Sequence, residues 1–278
     1  MKDVSLQSKR TSNVQLLPSL LNFPDNDREA QTHVNTLAQA VEKSNGSLKY
    51  EDCAIILRTH SLFRVFEDYL TRQGVPYVTV GATSFYEREE VRDLIAYLHL
   101  IVNPKDDESF MRIVNVPGRK IGSKTLNALN DHAQSQGISL FEASVSPQFF
   151  HKLKSFIEII NSFRSFTQRL SPQMVLNQLI QKIQYTAYLQ KKHKDDYEMR
   201  VENVSEFVNV AAQSRFMTSE SLIENLSALL EEIATMQAAS KPLDGSERKG
   251  VTLTTYHSAK GLEFEMVILP GLVLERMI

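Results

Sequence analysis

The sequence predicts an α/β fold, a parallel-sheet domain interrupted by a long all-helical insertion. Three observations predict it. Between residues 53 and 104, short apolar runs of strand length alternate with amphipathic helical stretches. From about 106 to 245, helical periodicity fills the chain almost alone. Strand character then returns in "VTLTTYH" and "EMVILP", between 251 and 270.

The elements follow in order. Residues 1–20 form an irregular N-terminal segment without a periodic pattern. "DREAQTHVNTLAQAVEKS" (27–44) places Ala30, Val34, Leu37, Ala38 and Val41 at helical spacing. "CAIILRT" (53–59) has the length and apolar content of a buried strand. "SLFRVFEDYLTRQ" reads as a helix with Ser61 as its N-cap and Gly74 as its stop. "VPYVTVG" is a second strand, and "FYEREEVRDLIAYLHLIVNP" a long helix ended by Pro104. Strand–helix–strand–helix is the rhythm of a parallel α/β unit. In the insertion, "SPQMVLNQLIQKIQYTAYLQKK" and "SLIENLSALLEEIATMQ" each begin with a serine suited to capping. "KPLDGSERKG" supplies turn residues before the strands resume.

Composition sets the bounds. A chain of 278 residues, 42% hydrophobic and 23% charged, can bury a sizeable core. Its single cysteine, Cys53, excludes an intrachain disulfide and a cysteine-rich zinc site, and fits a reducing compartment. The N-terminus lacks the apolar run of a signal peptide, and no stretch approaches a membrane span. A cytoplasmic protein without a membrane partner is expected. Formal net charge is −2, but the charge is uneven. Residues 109–130 hold Arg112, Arg119, Lys120 and Lys124 with no acid, a local basic face able to bind phosphates. Residues 201–236 carry six glutamates against Arg215.

Two stretches carry candidate chemistry. "GRKIGSKT" (118–125) matches a phosphate-loop pattern except that Ser123 stands where a glycine should precede Lys124. It follows the strand-like "RIVNV" and precedes the helix-like "TLNALNDHA". A side chain at Ser123 keeps the backbone away from phosphates, and no apolar strand ending in an acidic pair is present to hold magnesium. A second reading needs no ATP. Gly118 and Gly122 frame a tight turn, Ser123 and Thr125 cap the next helix, and Arg119, Lys120 and Lys124 add charge. Such a turn grips a DNA backbone without reading bases. A plain interhelical turn has the same residues. Metal ligands are expected nowhere, because the seven histidines lack ligand spacing. The other stretch, "TTYHSAKGLEFEMVILP" (254–270), sets His257, Ser258, Lys260, Gly261 and Glu263 in a polar loop between two strand-like runs.

From about residue 50 to 272 the chain resembles the second half of UvrD/Rep-type superfamily 1 DNA helicases. "AIILRTHSLFRVFEDYL" is similar to the fourth helicase motif. "PYVTVGATSFYEREEVRDLIAYLHLIVNPKDD" resembles the block after it, with Gly81, Phe85, Arg88, Glu90 and Asp93 in place. "RIVNVPGRKIG" resembles the family's Gly-Ile-Gly turn, "RVENVSEF" (200–207) a later helix, and "TYHSAKGLEFEMVILPG" the fifth motif. The resemblance implies a partial RecA-like motor domain, 21–105 and 246–278, interrupted by an all-helical DNA-binding subdomain, 106–245. It implies ATP, with Mg2+, between two motor domains and a single DNA strand beneath the cleft. Glu263 would hold the nucleotide sugar, and Arg58 would reach the γ-phosphate as an arginine finger. Thr255, His257 and Lys260 would touch or sense the DNA strand, and Gly261 would allow the turn.

The departures from that pattern matter as much. The phosphate-loop motor domain and its magnesium motif are missing, and the chain stops at "LVLERMI", before the sixth motif. In the Gly-Ile-Gly turn, the first glycine is Lys120. The expectation is a C-terminal fragment of an ATP-dependent 3′→5′ DNA helicase, inactive as an ATPase alone, with the first motor domain and a DNA junction as partners. The alternative is a non-enzymatic DNA- or protein-binding module that keeps the fold without the motor.

Overall fold

Among the described residues, four short strands form one parallel sheet in the order β2-β3-β1-β4, with β1 Cys53–Leu57, β2 Tyr77–Val80, β3 Val251–Thr255 and β4 Met266–Ile268. The computed structural model describes residues 21–58, 61–81, 83–165, 170–217, 219–239 and 249–271. The irregular segment 1–20, the Ser61 side chain with its predicted cap, most of the "KPLDGSERKG" turn and the terminal "LVLERMI" lie outside the described residues.

One face of the sheet is closed by α1 (Asn26–Lys43) and α2 (Ser61–Arg72). Asp25 caps α1, accepting from the Arg28 N–H at 2.7 Å, and Asp27 and Glu29 in the first turn favour the positive end of the helix dipole. The apolar stripe of α1, Ala30, Val34 and Leu37, is fully buried against Phe63, Phe66 and Leu70 of α2 and Cys53, Ile55 and Leu57 of β1. Full burial of each large aliphatic or aromatic side chain contributes roughly 1.5–3 kcal/mol, so this small core is sufficient to hold two helices on the sheet. Gly74, at φ 66°, ends α2.

The insertion is helical throughout its described residues: α4 Asp107–Ile113, α5 Ser123–Gln136, α6 Leu140–Ser144, α7 Pro147–Arg164, α8 Pro172–Lys182, α9 Tyr185–Lys192, α10 Tyr197–Ala211 and α11 Leu222–Ala239. These helices share a core with the preceding α3 (Glu89–Val102), which is buried on most of its sides and packs on α4, α7, α10 and α11. Phe85 and Tyr86 ahead of α3 belong to this helical core, which is separate from the core under the sheet.

Four local expectations change. The helix predicted from Phe85 is divided: a 3-10 turn, Phe85–Glu87, precedes α3 and the chain is extended at Arg88. "RIVNV" is not a strand; Arg112 and Ile113 end α4, and Val114–Val116 enter a turn. The helix predicted over 171–192 breaks at Gln184, which takes φ 53°. Ser171 does cap α8, accepting from the Met174 N–H at 3.2 Å. The cap of α5 is Gly122 rather than Ser123 or Thr125; Ser123 is already helical, and the Thr125 N–H returns to the Gly122 carbonyl at 3.0 Å.

Candidate nucleic-acid and nucleotide interface

Parallel pairing brings the carboxyl ends of three strands to one edge. Leu57 of β1 pairs with Thr255 of β3, so Arg58 follows directly beside Tyr256. Val80 of β2 pairs with Thr254, so Gly81 follows beside Thr255. Open α/β sheets bind ligands outside the carboxyl ends of their strands, and this edge gathers Arg58, Gly81 and Thr255–Ser258. Arg58 is exposed there.

The loop after β3 is tightly made. Thr255 is buried; its Oγ1 accepts from the Ser258 N–H at 3.3 Å and lies 3.2 Å from Ser258 Oγ, while its carbonyl accepts from the Ala259 N–H at 2.9 Å. Ser258 presses on Gly81, where an added Cβ would sit 2.1 Å from the serine hydroxyl oxygen. Only a residue without a side chain allows that approach, and Gly81 also takes φ 72°. The rest of the loop faces outward: His257, Lys260, Gly261 and Glu263 are all exposed, with Gly261 at φ 88°.

Glu263 stands apart from Arg58. After Gly261 the chain runs back along the sheet, and the Glu265 N–H reaches the Asp52 carbonyl at 2.9 Å, at the opposite end of β1. With about 3.3–3.6 Å per extended residue, Glu263 lies within about 7 Å of Glu265, and thus toward the amino end of the strand that Arg58 ends.

The second place is the turn 114–122 between α4 and α5. Asn115 clamps it, donating from Nδ2 to the Ile121 carbonyl at 2.6 Å and accepting the Ile121 N–H at 3.1 Å. Arg119 turns inward. Its Nη1 lies 3.0–3.3 Å from the carbonyl oxygens of Ile113, Val114, Val116 and Pro117; Nη2 donates to Tyr97 Oη at 2.6 Å, and the guanidinium lies 5.1 Å from the Phe156 ring centroid. Burial raises the Tyr97 phenol to about 12, so it stays neutral and receives that donor. Arg119 therefore closes the C-terminus of α4. Gly118, Lys120, Gly122, Ser123 and Lys124 are exposed on the outside of the same turn, and Thr125 is half-buried with Lys152 Nζ at 3.4 Å from its hydroxyl. Helix geometry leaves the first-turn N–H groups of Ser123 and Lys124 without intrahelical acceptors.

Sequence reasoning missed Asn115 and the role of "RVENVSEF". Arg200, Asn203 and Glu206 stand on one face of α10 and bind inward: Arg200 to Glu90 at 2.7 Å, Asn203 to Glu90 and Arg88, and Glu206 to Arg64 of α2. Their i, i+3, i+6 spacing was the available signal. Among the described residues no group of three His, Cys, Asp or Glu side chains is placed to hold a metal ion, and no helix is long and apolar enough to cross a membrane.

Known proteins resemble this chain over most of its length. The UvrD-like helicase C-terminal domain family model matches residues 3–277. The ATP-dependent DNA helicase PcrA of Bacillus subtilis is 35% identical over 240 residues, covering 82% of this chain and 32% of that protein. PcrA of Staphylococcus aureus is 31% identical over 246 residues, covering 85% and 33%, and that of Staphylococcus epidermidis 33% over 234 residues, covering 81% and 31%. The chain thus spans about a third of the length of the curated relatives it matches. With a sheet whose strand ends gather the fifth-motif loop, and a family match over nearly its whole length, the chain belongs to the UvrD-like helicase C-terminal domain family.

Proposed function

We propose that this chain supplies the second motor domain and the duplex-holding subdomain of an ATP-dependent DNA helicase of 3′→5′ polarity, acting in the cytoplasm. The observation that carries the proposal is the shared strand-end edge, where Arg58 and Thr255–His257 stand side by side. In this reading 21–105 and 246–278 form the motor and 106–245 the insertion. ATP lies between this edge and a separate first motor domain, where it supplies the free energy of phosphate hydrolysis. Arg58 offers a guanidinium to a phosphate, the γ-phosphate by resemblance, and Glu263 offers a carboxylate to the sugar hydroxyls. Thr255 is held by Ser258 and orients the loop, so that His257 and Lys260 face a single DNA strand. Arg58 and Thr255–Ser258 at this edge include no carboxylate, so Mg2+ would be held by the phosphates and by acids of the other motor domain.

On the insertion, Lys120 and Lys124, with the backbone at Gly118, Gly122 and Ser123, contact phosphates of the duplex, while Arg119 keeps the turn in shape. The test is reconstitution. The chain is mixed with a separately expressed first motor domain of a relative, and ATP hydrolysis is followed with and without single-stranded DNA. DNA-stimulated turnover that appears only in the mixture, and falls at least tenfold with Arg58→Ala, supports the motor role. No turnover in the mixture, with unaltered DNA binding by the chain, would leave a binding module.

A further inference from the structure

Beside the 114–122 turn lies an open groove of about 530 Å³, walled on one side by Pro117 and Gly118 and on the other by Gln184 and by α9 through Ala187, Tyr188 and Lys191. Its two walls come from segments nearly 70 residues apart in sequence, and the break at Gln184 is what turns α9 toward the turn. Its charge is one-sided. Lys192 is committed, paired with Glu89 and placed 5.5 Å over the Tyr188 ring. Lys191 is exposed and has no ion-pair partner among the described residues. No acid lines the groove.

From this we infer that the groove is a second backbone-binding site for duplex DNA, continuous with the contact at Lys120 and Lys124; the inference rests on the duplex-holding reading above. Lys191 meets one phosphate as a point charge, and the exposed backbone at Gly118 admits the strand closely, since even an added Cβ there would meet nothing within 4 Å. Tyr188 is stacked on the buried Tyr185 at 5.7 Å and supplies a fixed wall for the sugar face. Gly118 and Lys120 are two residues apart, at most about 7 Å along the chain. Turn and groove therefore lie within reach of the same DNA strand.

The experiment is a salt titration of the 278-residue chain on a blunt duplex and on single-stranded DNA, with three variants: Lys191→Ala, Ala187→Glu and Lys120→Ala/Lys124→Ala. Lys191 and Ala187 are exposed on α9, so their thermal unfolding should match the parent. The slope of log K against log salt should lose about 0.9 with Lys191→Ala, and duplex affinity should drop at least fivefold with Ala187→Glu, whose carboxylate would face a phosphate. If the Lys120/Lys124 variant weakens duplex binding while both α9 variants bind like the parent, the groove proposal is overturned and the duplex-holding role stands. If the α9 variants change single-strand binding alone, the groove is not a duplex site. Absence of any duplex binding by the parent would remove both readings.

Discussion

Lys120 occupies a backbone conformation that ordinarily belongs to glycine. At φ 58° it lies in the left-handed region, where a side chain costs on the order of 1 kcal/mol, and the resembling turn in the helicase family has glycine at this place. The chain gives up that stability and gains a cation on the exposed side of a turn whose other cation, Arg119, is turned inward. The trade separates stability from binding in one residue. Lys120→Gly should leave the melting temperature equal or raise it by a few degrees, while lowering the salt slope of duplex binding by about one phosphate contact. Lys120→Val should lower melting, because a β-branched residue tolerates this region worst. Differential scanning calorimetry beside the DNA titration reads both effects; a glycine variant that melts well below the parent would mean that the lysine stem, not the backbone, holds the turn.

At the scale of elements, the seam between α2, α3 and α10 decides how sheet and insertion are joined. Arg64 of α2 pairs with Asp68 at 2.7 Å and with Glu206 of α10, and Arg88 donates to Asn203, which in turn donates to Glu90 at 2.6 Å. Asn203 is 3% exposed and Arg88 8%, and Arg88 Nη2 already has no partner. Asn203→Ala would strand a second face of that guanidinium and should cost roughly 3 kcal/mol, read as a lower urea midpoint, whereas Ser205→Ala on the exposed face of α10 should be nearly neutral. Little of this was legible beforehand. The strand run "CAIIL" and the mostly buried α3 were readable, because burial on most sides leaves a nearly continuous apolar signal. The break at Gln184 was not, since neither glycine nor proline marks it. "RIVNV" misled for a related reason: β-branched residues at the end of α4 imitate a strand, and the carbonyls there are satisfied by Arg119 rather than by a neighbouring strand. The carboxyl-end edge was legible only through resemblance, since pairing of β1 with β3 joins residues nearly 200 apart.

Across the whole molecule, the two hydrophobic cores meet at a buried acid. Glu67 of α2 is 3% exposed, belongs by position to the helix that covers the sheet, and accepts the Phe85 N–H at 3.0 Å at the entrance to the helical core. Among the described residues its second oxygen, Oε1, and the Thr71 hydroxyl meet no full hydrogen-bond partner, although the Ser84 side chain also lies by the carboxyl. Burial is the largest influence on this carboxyl and pushes it up to about 7, with Asp68 adding to it, against the pull of the Phe85 N–H, the Ser84 side chain and Arg88 in the other direction. In the unfolded chain it titrates near 4.5. Between these values the folded state holds a proton that the unfolded state has released, so stability must fall as pH rises from about 4.5 through 7, then level off with the carboxylate buried as an ion. The full swing for a group shifted by this much is on the order of 3 kcal/mol. Glu67→Gln preserves an acceptor for the Phe85 N–H and removes the titration. Chemical denaturation from pH 5 to pH 8.5 should therefore show this dependence in the parent and its loss in the variant, with the variant the more stable at the alkaline end. Equal pH profiles for the two proteins would show that Glu67 does not carry the proton, and would move the cost of joining the two cores to the Arg64–Asp68–Glu206 pairs instead.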